Sequence, residues 1–138
     1  MDKIDISVII PVKNGQRYLD LALSAIFSQK INATFEVILI DSGSRDKTIE
    51  IAREYPLKLY EIEADSFNHG LTRNYGISKS QGEYLVLTTA DAIPYNDIWM
   101  EKLVGHLRRD EQVAGAYSRQ IPHQDAHPLT QLRVNRFF

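Results

Sequence analysis

The sequence predicts an α/β fold, with helices on both faces of a mostly parallel sheet in a three-layer α/β/α arrangement. Two observations support this prediction. Several short segments are almost continuously apolar and rich in β-branched residues, which is typical of strands buried on both faces. They alternate with longer stretches in which apolar residues recur at helical spacing, as in parallel βαβ units.

Four strands are predicted at residues 6–10, 35–40, 57–62 and 83–88, and a weaker fifth candidate covers residues 113–117. Four helices are predicted at residues 15–29, 46–55, 69–80 and 96–109. Pro56 ends the second helix because proline lacks the amide hydrogen that a helix needs, and Gly82 is a C-cap signal for the third. After about Ser118 no clear periodicity remains.

Composition narrows the classes of function. The 138 residues suit a single domain, and 16 basic against 18 acidic side chains give no electrostatic argument for a nucleic-acid partner. The absence of cysteine excludes disulfides and thiolate metal sites. The longest apolar run, residues 6–12, is too short to cross a bilayer, and the acidic start is unlike a signal peptide. We therefore expect a cytoplasmic protein, with peripheral contact at the inner face of a membrane left open.

Polar residues follow the first two strands, at the sheet edge where α/β proteins bind ligands. Asn14 and Gly15 suit either a simple turn or a base or ribose pocket lined by backbone groups. They lack the glycine-rich and Walker patterns of oxidoreductases and P-loop enzymes. Asp41 is placed to accept a hydrogen bond from a ribose or a base N–H. Ser44 or Asp46 suffices to cap the next helix, which leaves Asp41 without a structural role.

Two further clusters follow the third and fourth strands. His69 and Arg73 are four residues apart on one predicted helix face, where they suit an anionic ligand, although an ordinary helix start with an exposed arginine is the alternative. Asp91 follows the fourth strand. A lone carboxylate can hold Mg²⁺ or Mn²⁺ when diphosphate oxygens and waters supply the other ligands. Taken alone, Asp91 is better interpreted as an ordinary loop residue.

Taken together, these clusters resemble the inverting family-2 glycosyltransferases, whose fold is the nucleotide-binding α/β type called GT-A. The resemblance covers most of residues 4–122 and rests on residues 7–14 (SVIIPVKN), 37–48 (VILIDSGSRDKT) and 73–84 (RNYGISKSQGEY). A finer resemblance, to the rhamnosyltransferase-like branch, rests on residues 67–70, 87–94 and 119–122.

The resemblance implies roles for individual residues. Asp41 hydrogen-bonds the pyrimidine, and Asp91 binds the Mg²⁺ or Mn²⁺ ion that neutralises the diphosphate. The implied donor is a dTDP- or UDP-sugar, and the finer resemblance implies a deoxysugar such as rhamnose. The implied nucleotide-sugar-binding residues are Pro11, Val12, Asn14, Asp41, Ser42, His69 and Arg73.

The chain departs from the family pattern in two respects. The metal motif usually holds two or three carboxylates, but residues 88–90 are Thr-Thr-Ala, so we expect cation binding to depend on the donor. The family's catalytic base lies further downstream, and within this chain only Asp125 is a candidate, and a weak one. If residues 123–127 are extended, His123, Asp125 and His127 share one face and could bind a transition metal, although an acceptor-side loop is the preferred interpretation.

The predicted organisation is a donor-binding domain at residues 1–118 and the start of an acceptor-side segment at residues 119–138, incomplete or flexible. Phe137 and Phe138 need a cover, which a homo-oligomer or a missing C-terminal half would provide. The expected function is metal-assisted, inverting sugar transfer in polysaccharide biosynthesis, to a glycan or lipid-linked acceptor that the sequence does not identify. The alternative is a nucleotide-sugar-binding module, or an inactive fragment without its base.

Overall fold

A computed structural model describes residues 3–137, and a division between Glu101 and Lys102 separates two compact units. The first unit holds four strands, which are β1 (Ile6–Val12), β2 (Phe35–Asp41), β3 (Lys58–Glu61) and β4 (Tyr84–Leu87). They form one parallel sheet in the order β3-β2-β1-β4. The predicted α/β class with a parallel sheet is confirmed.

Helices connect the strands. They are α1 (Leu19–Phe27), α2 (Thr48–Ala52), a 3₁₀ turn (Ala64–Ser66) and α3 (His69–Lys79), with α4 (Trp99–Arg109) following β4 and continuing into the second unit. Side chains alternate between the faces of a strand, and every residue from Ile6 to Ile10 is fully buried, so both faces of β1 are covered. On one face Ile9, Ile38 and Ile40 form a cluster against which Ile77 of α3 packs.

The register brings the strand ends together. In the β1–β2 pair Val12 lies opposite Asp41, and in the β1–β4 pair Ile9 lies opposite Leu87. Because all four strands are parallel, the loops that follow them meet at one edge of the sheet. This edge carries the residues predicted to bind the ligand.

Two local predictions were wrong. Residues 113–117 do not form a strand. Gly82 does not cap α3, which ends at Lys79 with Ser80 extended. Glycine is required at position 82 for a different reason, since a Cβ there would lie 2.5 Å from the Ser7 amide nitrogen and 2.6 Å from the Ile6 carbonyl carbon. The region after Ser118, where the sequence shows no clear periodicity, contains helix α5 (Pro128–Phe137).

A buried polar cluster lies near the beginning of β2. One oxygen of Glu36 accepts hydrogen bonds from the Ser7 hydroxyl (2.6 Å) and the Gln81 N–H (2.7 Å), and the other pairs with the Lys58 ammonium at 2.6 Å. Burial alone would raise the pKa of Glu36, but the hydrogen bonds from Lys58, Ser7 and Gln81 and the charge of Lys58 hold that pKa below its ordinary value. The cluster ties the α3–β4 connection and β3 to the middle of the sheet.

The second unit is described by itself. It contains the larger part of α4, an irregular stretch and α5, and the predicted change from donor to acceptor segment at residue 119 lies inside it. Helix α5 exposes Leu129, Leu132 and Phe137, whereas Phe138 lies outside the described residues. A cover for this end therefore stays a prediction. Between residues 3 and 137, no helix combines the length and apolar character needed to cross a membrane.

Candidate functional site

Asp41 ends β2 with its two carboxylate oxygens in different situations. The residue is only 2% exposed. Oδ2 accepts hydrogen bonds from the N–H groups of Gly43 (3.0 Å) and Ser44 (2.9 Å), which closes a turn in which Gly43 has a left-handed φ of 79°. Oδ1 is buried and has no hydrogen-bond partner among the described residues. Asp41 thus has a structural role that the sequence did not indicate, and also a spare acceptor at the sheet edge.

Ser42 ties the ends of β1 and β2 together. Its N–H and its hydroxyl both donate to the Val12 carbonyl, at 3.0 and 3.1 Å, and the side chain is almost fully buried. The hydroxyl proton is therefore already committed. Of the predicted ligand residues in this region, Val12 is buried and Pro11 is partly buried, directly beside the Asp41 turn.

Asn14 has a left-handed backbone, with φ at 50°, in the loop after β1. Asparagine tolerates this conformation better than most residues. Its side-chain oxygen accepts the Arg45 N–H at 2.9 Å, and its own N–H donates to the Ser44 hydroxyl at 2.7 Å. Asn14, predicted to contact the ligand, is thus engaged with the neighbouring loop.

Of Ser44 and Asp46, either of which was predicted to suffice as the cap of α2, Asp46 bonds to the first residue of the helix. Asp46 accepts the Thr48 N–H at 3.0 Å and the Thr48 hydroxyl at 2.5 Å, whereas Ser44 bonds to Asn14 instead. Burial alone would raise the pKa of Asp46, but hydrogen bonds from the Thr48 hydroxyl and from the N–H groups of Thr48 and Gln16 hold that pKa below its ordinary value. Asp46 therefore stays ionised at the start of the helix, where negative charge is favoured.

Helix α3 begins at His69, as predicted. Asn68, which was not predicted as a cap, accepts the N–H groups of Gly70 (3.0 Å) and Leu71 (3.1 Å). An asparagine directly before a helical pattern was the signal for it. The Arg73 guanidinium folds back and donates to the His69 carbonyl at 2.9 Å, which keeps it beside the first turn. Because the cap occupies two backbone donors, anion recognition at this end would depend on the His69 and Arg73 side chains.

Asp91 lies on the turn that follows β4, and its side chain is exposed. The Thr88 N–H donates to the Ile9 carbonyl at 3.1 Å, so β4 stays joined to β1 up to this point. A Cβ placed on Gly15 would lie 3.4 Å from the Ala90 Cβ, so this turn adjoins the loop after β1. Residues 3–137 contain no group of three His, Cys, Asp or Glu side chains arranged to hold a metal. One hard carboxylate fits a cation shared with a diphosphate, but not a complete protein site.

The tail does not have the geometry assumed for a transition-metal site. Residues 124–126 form a turn and a bend rather than an extended strand, with the Ala126 N–H donating to the His123 carbonyl at 3.0 Å. The His127 Nδ1 accepts the Leu129 N–H at 3.2 Å, at the start of α5. The extended conformation on which the transition-metal alternative for His123, Asp125 and His127 depended is therefore absent. Asp125 as the catalytic base stays a prediction.

Comparison with known proteins gives a consistent result. Residues 7–136 match the family described as Glycosyl transferase family 2. An O-antigen chain rhamnosyltransferase of Salmonella typhimurium is 35% identical over 126 residues, which is 90% of this chain and 40% of the relative. Another, from Salmonella anatum, is 38% identical over 75% of this chain and 33% of the relative. The chain thus spans less than half the length of these relatives.

Solved structures show the same fold. Staphylococcus aureus TarS in complex with UDP-GlcNAc matches with a TM-score of 0.71 and 21% identity, over 87% of this chain and 39% of that chain. The Pyrobaculum calidifontis mannosyltransferase PcManGT, in complex with GDP-Man and Mn²⁺, matches with a TM-score of 0.57 and 25% identity, over 70% of this chain and 30% of that chain. The family match over residues 7–136 and the sequence relatives confirm the predicted family, and the solved structures confirm the fold. This chain belongs to glycosyltransferase family 2 and has the GT-A fold.

Proposed function

We propose that this chain forms the donor-binding part of a metal-assisted, inverting glycosyltransferase that transfers a sugar from a nucleoside diphosphate to an acceptor hydroxyl. The observation that carries the proposal is the buried Oδ1 of Asp41 at the carboxyl edge of the sheet, which has no hydrogen-bond partner within residues 3–137. Family membership and the two rhamnosyltransferase relatives support a deoxysugar donor such as dTDP-rhamnose.

Asp41 would select the base. Uracil and thymine carry a ring N–H between two carbonyl groups, and a buried acceptor favours such a donor because leaving it unpaired costs about 1–3 kcal/mol. Pro11, Val12 and Ser42 would shape the walls around the base, since they adjoin Asp41 in the sheet. Arg73 and His69, at the start of α3, would face the negatively charged part of the donor.

Asp91 would hold the Mg²⁺ or Mn²⁺ ion together with diphosphate oxygens and water. When bound, the cation offsets the charge that develops on the departing nucleoside diphosphate. The presence of Mn²⁺ in the complex of PcManGT supports this assignment, as does the exposed carboxylate beside the loop after β1. Because Asp91 is the only acid in its motif, we expect cation affinity to be low until the donor is bound.

The acceptor hydroxyl must lose a proton to a general base. Asp125 is the candidate within this chain, and the relatives extend well beyond the length matched here. A second function, binding of a nucleotide-sugar without transfer, follows if no base acts. Sugar transfer to an acceptor by this chain would exclude the binding-only function.

The test is calorimetric titration with dTDP- and UDP-sugars, with and without Mn²⁺. Asp41→Asn keeps an oxygen that can accept the Gly43 and Ser44 N–H groups but turns the spare acceptor into a donor, so it should weaken binding with or without metal. The matched control is Asp97→Asn, which removes only an exposed ion pair with Lys30. Asp91→Ala should remove only the metal-dependent part of the affinity. Failure of the unmodified chain to bind any of these nucleotides would overturn the proposal.

A further inference from the structure

The segments that follow β1 and β2 are joined by hydrogen bonds from the backbone of each to side chains of the other. Three consecutive N–H groups of the first loop, at residues 14–16, donate to side-chain oxygens of Ser44 (2.7 Å), Thr48 (2.8 Å) and Asp46 (3.1 Å). In return, the N–H groups of Arg45 (2.9 Å) and Lys47 (3.0 Å) donate to the side-chain oxygens of residues 14 and 16. We call the five residues whose side chains accept these bonds the clasp: Asn14, Gln16, Ser44, Asp46 and Thr48.

The clasp supplies hydrogen-bond acceptors to backbone N–H groups in the loops that precede α1 and α2. Backbone N–H groups before and at the start of a helix lack partners within it, and a residue of the same loop usually satisfies them. Here many of the acceptors for these N–H groups belong to a loop about 30 residues away in the sequence. Neither loop can then move without breaking hydrogen bonds of the other.

The clasp is joined directly to the candidate site. Oδ2 of Asp41 accepts the Ser44 N–H, and the Ser44 hydroxyl accepts the Asn14 N–H, so two bonds link the Asp41 carboxylate to the loop after β1. Thr48 is fully buried and acts as a relay, since its hydroxyl accepts from the Gly15 N–H and donates to Asp46. The spacing between the end of β1 and the Asp41 turn is thereby held by side chains.

We propose that the clasp presets the nucleotide pocket before the donor arrives, and that Asn14 and Gln16 are positioning residues rather than ligand contacts. This inference rests on the proposed function. A loop that is already ordered loses little conformational freedom on binding, so the affinity of the donor depends on the clasp even at residues that the donor does not touch. The side-chain oxygens of Asn14 and Gln16 are already used by the Arg45 and Lys47 N–H groups.

The test compares three variants with the unmodified chain. Gln16→Ala and Ser44→Ala each remove clasp bonds, and Asn14→Gly removes the side chain but keeps a residue that tolerates the left-handed backbone. We measure UDP and dTDP affinity by calorimetry and amide hydrogen exchange at residues 14–16, 45 and 47 by NMR. Each variant should bind about tenfold more weakly, exchange faster in the free state, and regain protection when saturated with nucleotide.

Two controls complete the design. Ser44→Thr retains the hydroxyl and should restore both affinity and protection, and Gln112→Ala, outside both loops, should change neither. Unchanged affinity in the clasp variants would show a merely structural role, and weaker affinity with unchanged exchange in the free state would show direct ligand contact. Either result overturns the inference while leaving the proposed function intact. If the unmodified chain binds no nucleotide, the proposed function fails and this inference fails with it.

Discussion

Strand β2 carries two buried carboxylates near its opposite ends, and they differ in the partners of their oxygens. Glu36, near the beginning, is 9% exposed; one of its oxygens accepts hydrogen bonds from Ser7 and Gln81, and the other has the Lys58 ammonium as its ion-pair partner. Asp41, at the end, is 2% exposed and has one oxygen without a partner among the described residues. Burial alone therefore does not distinguish a structural acid from a binding acid, whereas the pairing of each oxygen does.

The largest expected effect is on stability at the fully paired end. Glu36→Ala leaves the Gln81 N–H and the Ser7 hydroxyl without their acceptor and should lower the free energy of unfolding by about 3 kcal/mol. Urea denaturation measures this change. The control Glu50→Ala, on the exposed side of α2, should change stability by less than about 0.5 kcal/mol. Equal losses in both variants would remove the structural role of Glu36.

At the other end of β2 we expect a large loss of affinity and a small loss of stability. Asp41→Asn should weaken UDP or dTDP binding by about 30-fold while lowering the free energy of unfolding by less than about 1 kcal/mol, because the turn keeps an acceptor. Calorimetry and urea denaturation of the same sample give both values. A large loss of stability with unchanged affinity would make Asp41 a second structural acid.

The Glu36 end of β2 should also respond to acid. Folding lowers the pKa of Glu36, so its ionised form stabilises the fold above the ordinary pKa near 4.5, and this contribution is lost as the pH falls through the lowered value. The melting temperature should therefore fall below about pH 4.5, and Glu36→Gln should flatten this dependence. A variant with the same acid dependence as the unmodified chain would contradict the assignment.

The smallest expected effect separates the ion pair from the hydrogen bonds at Glu36. The Lys58 side chain is 42% exposed, so solvent screens its attraction to the carboxylate. Lys58→Met leaves the buried Glu36 Oε2 without its ion-pair partner and should lower the free energy of unfolding by about 1–2 kcal/mol. A loss as large as that of Glu36→Ala would show that the ion pair, rather than the bonds from Ser7 and Gln81, stabilises the cluster.

The sequence predicts where the site residues lie better than it predicts their hydrogen-bond partners. Apolar runs locate β1 and β2, and parallel strands place Asn14, Asp41 and Asp91 at one edge. The two oxygens of Asp41 differ in hydrogen bonding, and Asn14 accepts the Arg45 N–H. Both features depend on contacts that form only once two strands are in register. No local pattern encodes such contacts.

The errors have similar causes. Gly82 follows a helix, so its position suggested a cap, but its requirement comes from the backbone of β1, about 75 residues earlier in the sequence. Helix α5 begins at Pro128, and proline suits the first turn of a helix. Its Leu129 and Leu132 are exposed, however, so the helix has no buried apolar stripe by which it could be predicted.

The spare oxygen of Asp41 also has an energetic consequence for the free protein. A buried acceptor without a partner is a local frustration that the rest of the fold must outweigh, at about 1–3 kcal/mol. A ligand that supplies an N–H there relieves this frustration as well as forming a bond. The same hydrogen bond should therefore add more affinity at Asp41 than at an exposed carboxylate.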